Sequence, residues 1–137
     1  MTDDALRTLL REVRTIAVVG LSPKTDRPSH GVARYLQAAG YQIVPINPGH
    51  AEILGERSYP TLAAAARERT IDVVDVFRRS EVAGGVVDEA IALSPAPRLI
   101  WLQLGVVDAA AKTRAEAAGI AFVMDRCLAI EHRALEV

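Results

Sequence analysis

The run Ile16-Ala17-Val18-Val19 stops abruptly at Gly20, and a polar turn, Ser22-Pro23-Lys24, leads into a helical pattern near Ser29. A strand that is apolar at every position is buried on both faces, as in the centre of a parallel sheet. Parallel neighbours need crossover connections, usually helices, and the rest of the chain supplies them. Apolar spacing of 3–4 residues predicts a helix over residues 3–14, with Thr2 or Asp3 as its cap. The same spacing predicts helices over 29–39, closed by Gly40, and over 80–93, opened by Ser80. A shorter alanine-rich helix follows Pro60-Thr61 to about residue 69. Further helices are expected over 108–118, capped by Asp108, and over 128–135. Between them lie strands at 16–19, 41–46, 72–76, 98–102 and 120–124, with residues 51–59 read as a linker.

This alternation predicts an α/β fold: a Rossmann-like, doubly wound parallel sheet of five strands in a three-layer α/β/α sandwich, expected order 3-2-1-4-5. A length of 137 residues suits one domain, 1–137, with one core. Net charge is −1, which argues against a nucleic-acid or membrane-surface partner. Aromatic residues are 4% of the chain, too few for base-stacking platforms. No apolar run approaches the ~20 residues that span a bilayer. The one cysteine, Cys127, leaves no intramolecular disulfide, and the charged N-terminus reads as no signal peptide; the expectation is a cytoplasmic protein.

In open α/β sheets, ligands bind beyond the carboxyl ends of the strands, where strand order reverses. The segments leaving the strands are therefore candidates: residues 20–24, Asn47-Pro48, Phe77-Arg78-Arg79 and residues 103–106. Gly20 lacks a Cβ and lets a pyrophosphate approach the backbone. Ser22 can donate its hydroxyl to a phosphate, and Lys24 and Arg27 add positive charge or sit as solvated surface cations. One of Arg78 and Arg79 is free for a ligand phosphate while the other sits in solvent or pairs with Glu81. Phe77 either packs on an adenine or belongs to the core. An NAD site is disfavoured, because G-x-G-x-x-G is missing after Gly20 and the second strand ends in Asn47-Pro48 rather than an acidic residue. The loss of that carboxylate suits a phosphorylated ribose, as in NADP or coenzyme A. The P-loop pattern is also missing.

Gly20-Leu21-Ser22-Pro23-Lys24, Arg27-Pro28-Ser29 and Val44-Pro45-Ile46-Asn47-Pro48 resemble the small stand-alone CoA-binding proteins. Those are similar to the CoA-binding domain of the succinyl-CoA synthetase α subunit. The resemblance continues through Asp75-Val76-Phe77-Arg78, Trp101-Leu102-Gln103-Leu104-Gly105 and Asp125-Arg126-Cys127, nearly the whole chain. It implies coenzyme A, or an acyl-CoA, lying across the strand ends. In that arrangement Gly20, Ser22, Pro23 and Lys24 would hold the phosphates, and Asn47 and Pro48 would border the adenosine. Val76, Phe77 and Arg78 would line its pocket, and the turn with Gln103 and Gly105 would flank the pantetheine arm. The synthetase's phosphohistidine domain and its ATP-grasp partner find no counterpart in this sequence, so its phosphoryl transfer is not carried over.

Evidence for catalysis is thin. His30, His50 and His132 form no metal-binding spacing with each other or with Cys127, so no metal site is expected. Beside the phosphate turn, His30 either touches a phosphate or is a plain helix-start residue. Cys127, next to Arg126 and a helix start, has the surroundings that activate a thiol; otherwise it is a small core residue. Asp125 and Glu131 read equally as a carboxylate pair or as a cap and a surface charge. The expected function is a non-catalytic binding module for CoA or acyl-CoA, and the alternative is an NADP- or CoA-dependent enzyme with Cys127 as its reactive thiol. A homodimer is left open.

Overall fold

A computed structural model describes residues 1–137. Helix α1 (Asp3–Glu12) is capped by Thr2, whose Oγ1 accepts from the Ala5 amide at 3.1 Å. It leads into β1 (Thr15–Val19), then α2 (Pro28–Ala38) and β2 (Gln42–Ile46). A small antiparallel hairpin, β3 (Glu52–Ile53) with β4 (Glu56–Arg57), occupies the expected linker. Then come α3 (Leu62–Ala66), β5 (Val73–Val76), α4 (Ser80–Ile91) and β6 (Leu99–Leu102). The chain closes with α5 (Ala109–Ala117), β7 (Ala121–Val123) and α6 (Leu128–Ala134).

The five long strands form one parallel sheet, as the apolar runs require. Alternate residues face opposite layers. Ala17, Val19, Val44, Val74, Ile100 and Leu102 pack against α3, α4 and α5. Ile16, Val18, Ile43, Val73, Leu99 and Trp101 pack against α1, α2 and α6. The Rossmann-like three-layer architecture is thus present.

Strand order departs from the expectation in one respect. The sheet runs β2-β1-β5-β6-β7, so the third long strand sits beside β1 and not outside β2. The outer edge of β2 is already taken. Tyr59 makes a parallel bridge to Ile46, its amide donating to Pro45 O and its carbonyl accepting from Asn47 N, both at 2.9 Å. Counted as a third strand reduced to one residue, Tyr59 restores the 3-2-1-4-5 type of arrangement with a further strand after it. The sequence hides this strand because a single bridge carries no alternating pattern.

Two expected caps also differ. Pro28 takes the first position of α2, where its fixed φ suits a helix start, and Arg27 is the cap residue. Ser29 is inside the helix, and its hydroxyl accepts from the Ser22 amide at 3.0 Å. Likewise α4 begins at Ser80, whose Oγ accepts from Val107 N at 3.0 Å and ties the helix to the loop after β6.

Asp72 anchors the start of the sheet: its Oδ2 accepts from the Arg14 and Thr15 amides, each at 2.9 Å. Asp72→Ala leaves both donors without this acceptor. It should lower unfolding stability by about 1.5 kcal/mol, measured by urea denaturation, with no change in ligand affinity.

Candidate functional site

Sheet order places the reversal between β1 and β5, because the chain moves outward from β1 to β2 and then crosses to the far side. Gly20 leaves β1 at φ +85°, a backbone geometry that side chains disfavour. A Cβ there would lie 2.6 Å from the Phe77 carbonyl oxygen and 3.1 Å from Arg78 Cδ. The ends of β1 and β5 are therefore in direct apposition, and glycine is what permits it.

A crevice of about 720 Å³ opens over this point. Gly20, Ser22, Pro23, Lys24, Asn47, Pro48, Phe77 and Arg78 line it, joined by His50, Arg79 and Val82. Arg27 lies in an adjoining recess that shares Gly20, Ser22, Lys24 and Phe77. Gln103 and Gly105 line a third cavity, which shares Phe77, Arg78 and Arg79 with the main crevice. Eleven of the twelve expected binding residues thus border a depression made of these three neighbouring cavities, which share lining residues. Val76 does not. It is fully buried against the α3, α4 and α5 layer, since strand alternation turns it away from the face where Phe77 emerges.

Hydrogen bonding redistributes the expected roles. Most amides of the turn after β1 are already engaged: Gly20 N donates to Ile46 O at 3.0 Å, Ser22 N to Ser29 Oγ, and Lys24 N to Ser22 Oγ at 3.1 Å. Ser22 Oγ accepts that bond and keeps its own proton to donate. Asn47 is also a brace: its amide donates to Leu21 O and its Oδ1 accepts from Gly49 N, both at 2.9 Å. The unpaired positive charge at the strand ends therefore lies on side chains. None of Lys24, Arg27 and Arg78 has a carboxylate within ion-pair distance, whereas Arg79 lies 3.7 Å from Glu81. Phe77 does both of the things its position allows. It packs against the α1, α2 and α6 layer and also borders every part of the depression.

The remaining candidates separate. His30 is buried in the first turn of α2. His132 is far from the crevice, its Nδ1 2.8 Å from the Tyr35 hydroxyl, and burial lowers its pKa. Asp125 and Glu131 do not pair: Asp125 accepts from Gly105 N at 2.8 Å, and Glu131 lies 3.7 Å from Arg126. Cys127 is half-buried, caps α6 and lines the third cavity. No three His, Cys, Asp or Glu side chains gather into a cluster fit for a metal ion.

One residue was missed from sequence. Asp75, in the middle of β5 between Val18 and Trp101, is 0% exposed, and neither carboxyl oxygen has a hydrogen-bond partner in the protein. Burial pushes its pKa well above the usual carboxylate range. A charged residue interrupting an all-apolar strand was the available signal.

A parallel Rossmann-like sheet with cations around its strand ends has the architecture in which open α/β domains hold ligands. Comparison with known proteins makes this more specific. Residues 14–133 match the model of the CoA binding domain, and the chain belongs to that family. It is 39% identical to the uncharacterized protein YneT of Bacillus subtilis (strain 168), over 93% of this chain and 91% of that protein. Among solved structures, a hypothetical protein from Pyrococcus horikoshii OT3 superposes with a TM-score of 0.92 at 33% identity, covering 100% of this chain and 94% of the other. Cell-free ID.343 from Thermus thermophilus gives 0.88 at 36% identity, covering 98% and 99%. No helix is long and apolar enough to cross a membrane.

Proposed function

We propose that this chain binds coenzyme A, or an acyl-CoA, in the depression over β1 and β5, and that it acts as a binding module without chemistry of its own. The observation that carries this reading is the unpaired cation set Lys24, Arg27 and Arg78 around a glycine-permitted close approach of two strand ends. A nucleotide with two phosphate centres, pyrophosphate and ribose phosphate, matches several cations better than a single anion does. Ser22 donates to a phosphate oxygen, Arg78 neutralises a second phosphate, and Phe77 offers a ring face to the adenine or to the arm beyond it. The catalytic alternative lacks support in the arrangement: Cys127 has no histidine hydrogen-bonded to it, and Asp125 and Glu131 are engaged elsewhere.

Calorimetric titration with CoA, dephospho-CoA and NADP tests the reading. CoA should bind, and loss of the 3′-phosphate should weaken it. Arg78→Ala should weaken CoA binding by about 10–100-fold, the range for losing a charge-assisted hydrogen bond. Because the neutral end of β2 at Asn47-Pro48 suits any phosphorylated ribose, NADP is the control. Binding of NADP in place of CoA would replace this reading with a reductase one.

A further inference from the structure

The third cavity differs in chemistry from the rest of the depression. Its volume is about 420 Å³, and past Arg78 and Arg79 its walls are Val32, Phe77, Leu104, Val106, Cys127 and Ile130. The polar side chain at its floor, Gln103, has its Oε1 committed to the Leu128 amide at 3.1 Å. Leu104 is 69% and Ile130 61% exposed. The chain's exposed large apolar residues are Met1, Leu104, Val107 and Ile130, so three of the four come from this rim or the loop beside it. Clustered exposure of this kind marks a surface that meets an apolar ligand or partner.

We propose that this cavity receives the acyl group of an acyl-CoA, so that the chain prefers a short or medium acyl thioester to free CoA. This rests on the reading of the crevice as a CoA site. The argument for an acyl occupant is continuity: the cavity shares Phe77, Arg78 and Arg79 with the cationic crevice. A CoA anchored there by its phosphates directs its arm along that shared wall. The arm's two amides need polar partners, and the aliphatic far end gives them few. Methylene groups, by contrast, gain from leaving water there, each strengthening binding by about fourfold.

The test is titration of the full chain with CoA, acetyl-CoA, butyryl-CoA and hexanoyl-CoA, in wild type and Ile130→Ser. Ile130 is exposed on α6, so the variant should fold, which its unfolding midpoint checks. The expected result is that butyryl-CoA binds wild type about tenfold tighter than CoA, and hexanoyl-CoA tighter again by about fourfold for each further methylene the cavity takes. Ile130→Ser should cut the butyryl-CoA advantage to about threefold or less and leave the Kd of CoA unchanged. Thioesters binding no tighter than CoA would overturn the proposal, as would an advantage that survives Ile130→Ser. An equal loss of CoA and thioester affinity would assign Ile130 to the arm itself and also overturn it. Sedimentation velocity on the same samples covers the remaining occupant. A dimer lost in Ile130→Ser, without any acyl preference, would make the patch an interface between copies of this chain. If neither CoA nor any thioester titrates, the CoA reading fails and takes the acyl proposal with it.

Discussion

Gly20→Val should unfold about 3 kcal/mol more easily than wild type and should show no CoA binding by calorimetry at concentrations that saturate wild type. Two costs combine. A β-branched residue at φ +85° carries the left-handed penalty of about 1–2 kcal/mol. The new Cβ would also sit 2.6 Å from the Phe77 carbonyl oxygen, a backbone atom that moves only if β5 moves. Relief of that clash shifts the end of β5, and Arg78 with it, away from the turn that carries Ser22 and Lys24. The binding loss therefore exceeds what the stability loss alone implies. Chemical denaturation and titration on one preparation separate the two. Wild-type affinity in a folded Gly20→Val protein would mean that the close approach does not organise the phosphate site.

Raising the pH from about 4 toward neutrality should destabilise the wild-type protein through Asp75, and Asp75→Asn should remove that dependence. The sign follows from proton linkage. Burial raises the carboxyl's pKa in the folded state, whereas the unfolded chain ionises near pH 4. Between those two values the folded form holds a proton that the unfolded form has released, so stability falls as pH rises. The slope from this one group reaches about 1.4 kcal/mol per pH unit. Below the unfolded value both states are protonated and the loss vanishes. Asn has the shape of the protonated acid and no charge to gain, so Asp75→Asn should match wild type near pH 4 and exceed it at pH 7. Denaturant melts across that range decide the matter. Parallel curves for the two proteins would show that Asp75 ionises in place.

Neither effect was readable from residue order in full. The strand before Gly20 announces itself by four apolar residues and a glycine, and the polar turn after it marks a carboxyl end of the sheet. Lys24 and Arg78 are legible as candidates because they lie in the segments that leave strands. Their freedom from ion pairs is not, since Arg79 and Glu81 carry the same residue types and do approach each other. The family resemblance assigns Val76 and Phe77 alike to the pocket. Alternation along β5 sends one into the core and lets the other emerge, and which one emerges depends on how the layers stack.

Residue order alone specifies a parallel α/β domain, where its strands end, and which polar turns follow them. Those are local properties, set by apolar runs, helical spacing and the glycines and prolines between them. Tertiary structure decided the rest. It placed β5 beside β1, while Tyr59 bridges to the outer edge of β2 at Ile46. It engaged the Gly20, Ser22 and Lys24 amides with Ile46, Ser29 and Ser22, so the unpaired charge at the strand ends lies on side chains. It brought Val32, Leu104 and Ile130, from three separate segments, to one apolar cavity. Contacts between residues far apart in the chain depend on packing around the whole sheet, and a pattern of nearest neighbours cannot encode them one position at a time.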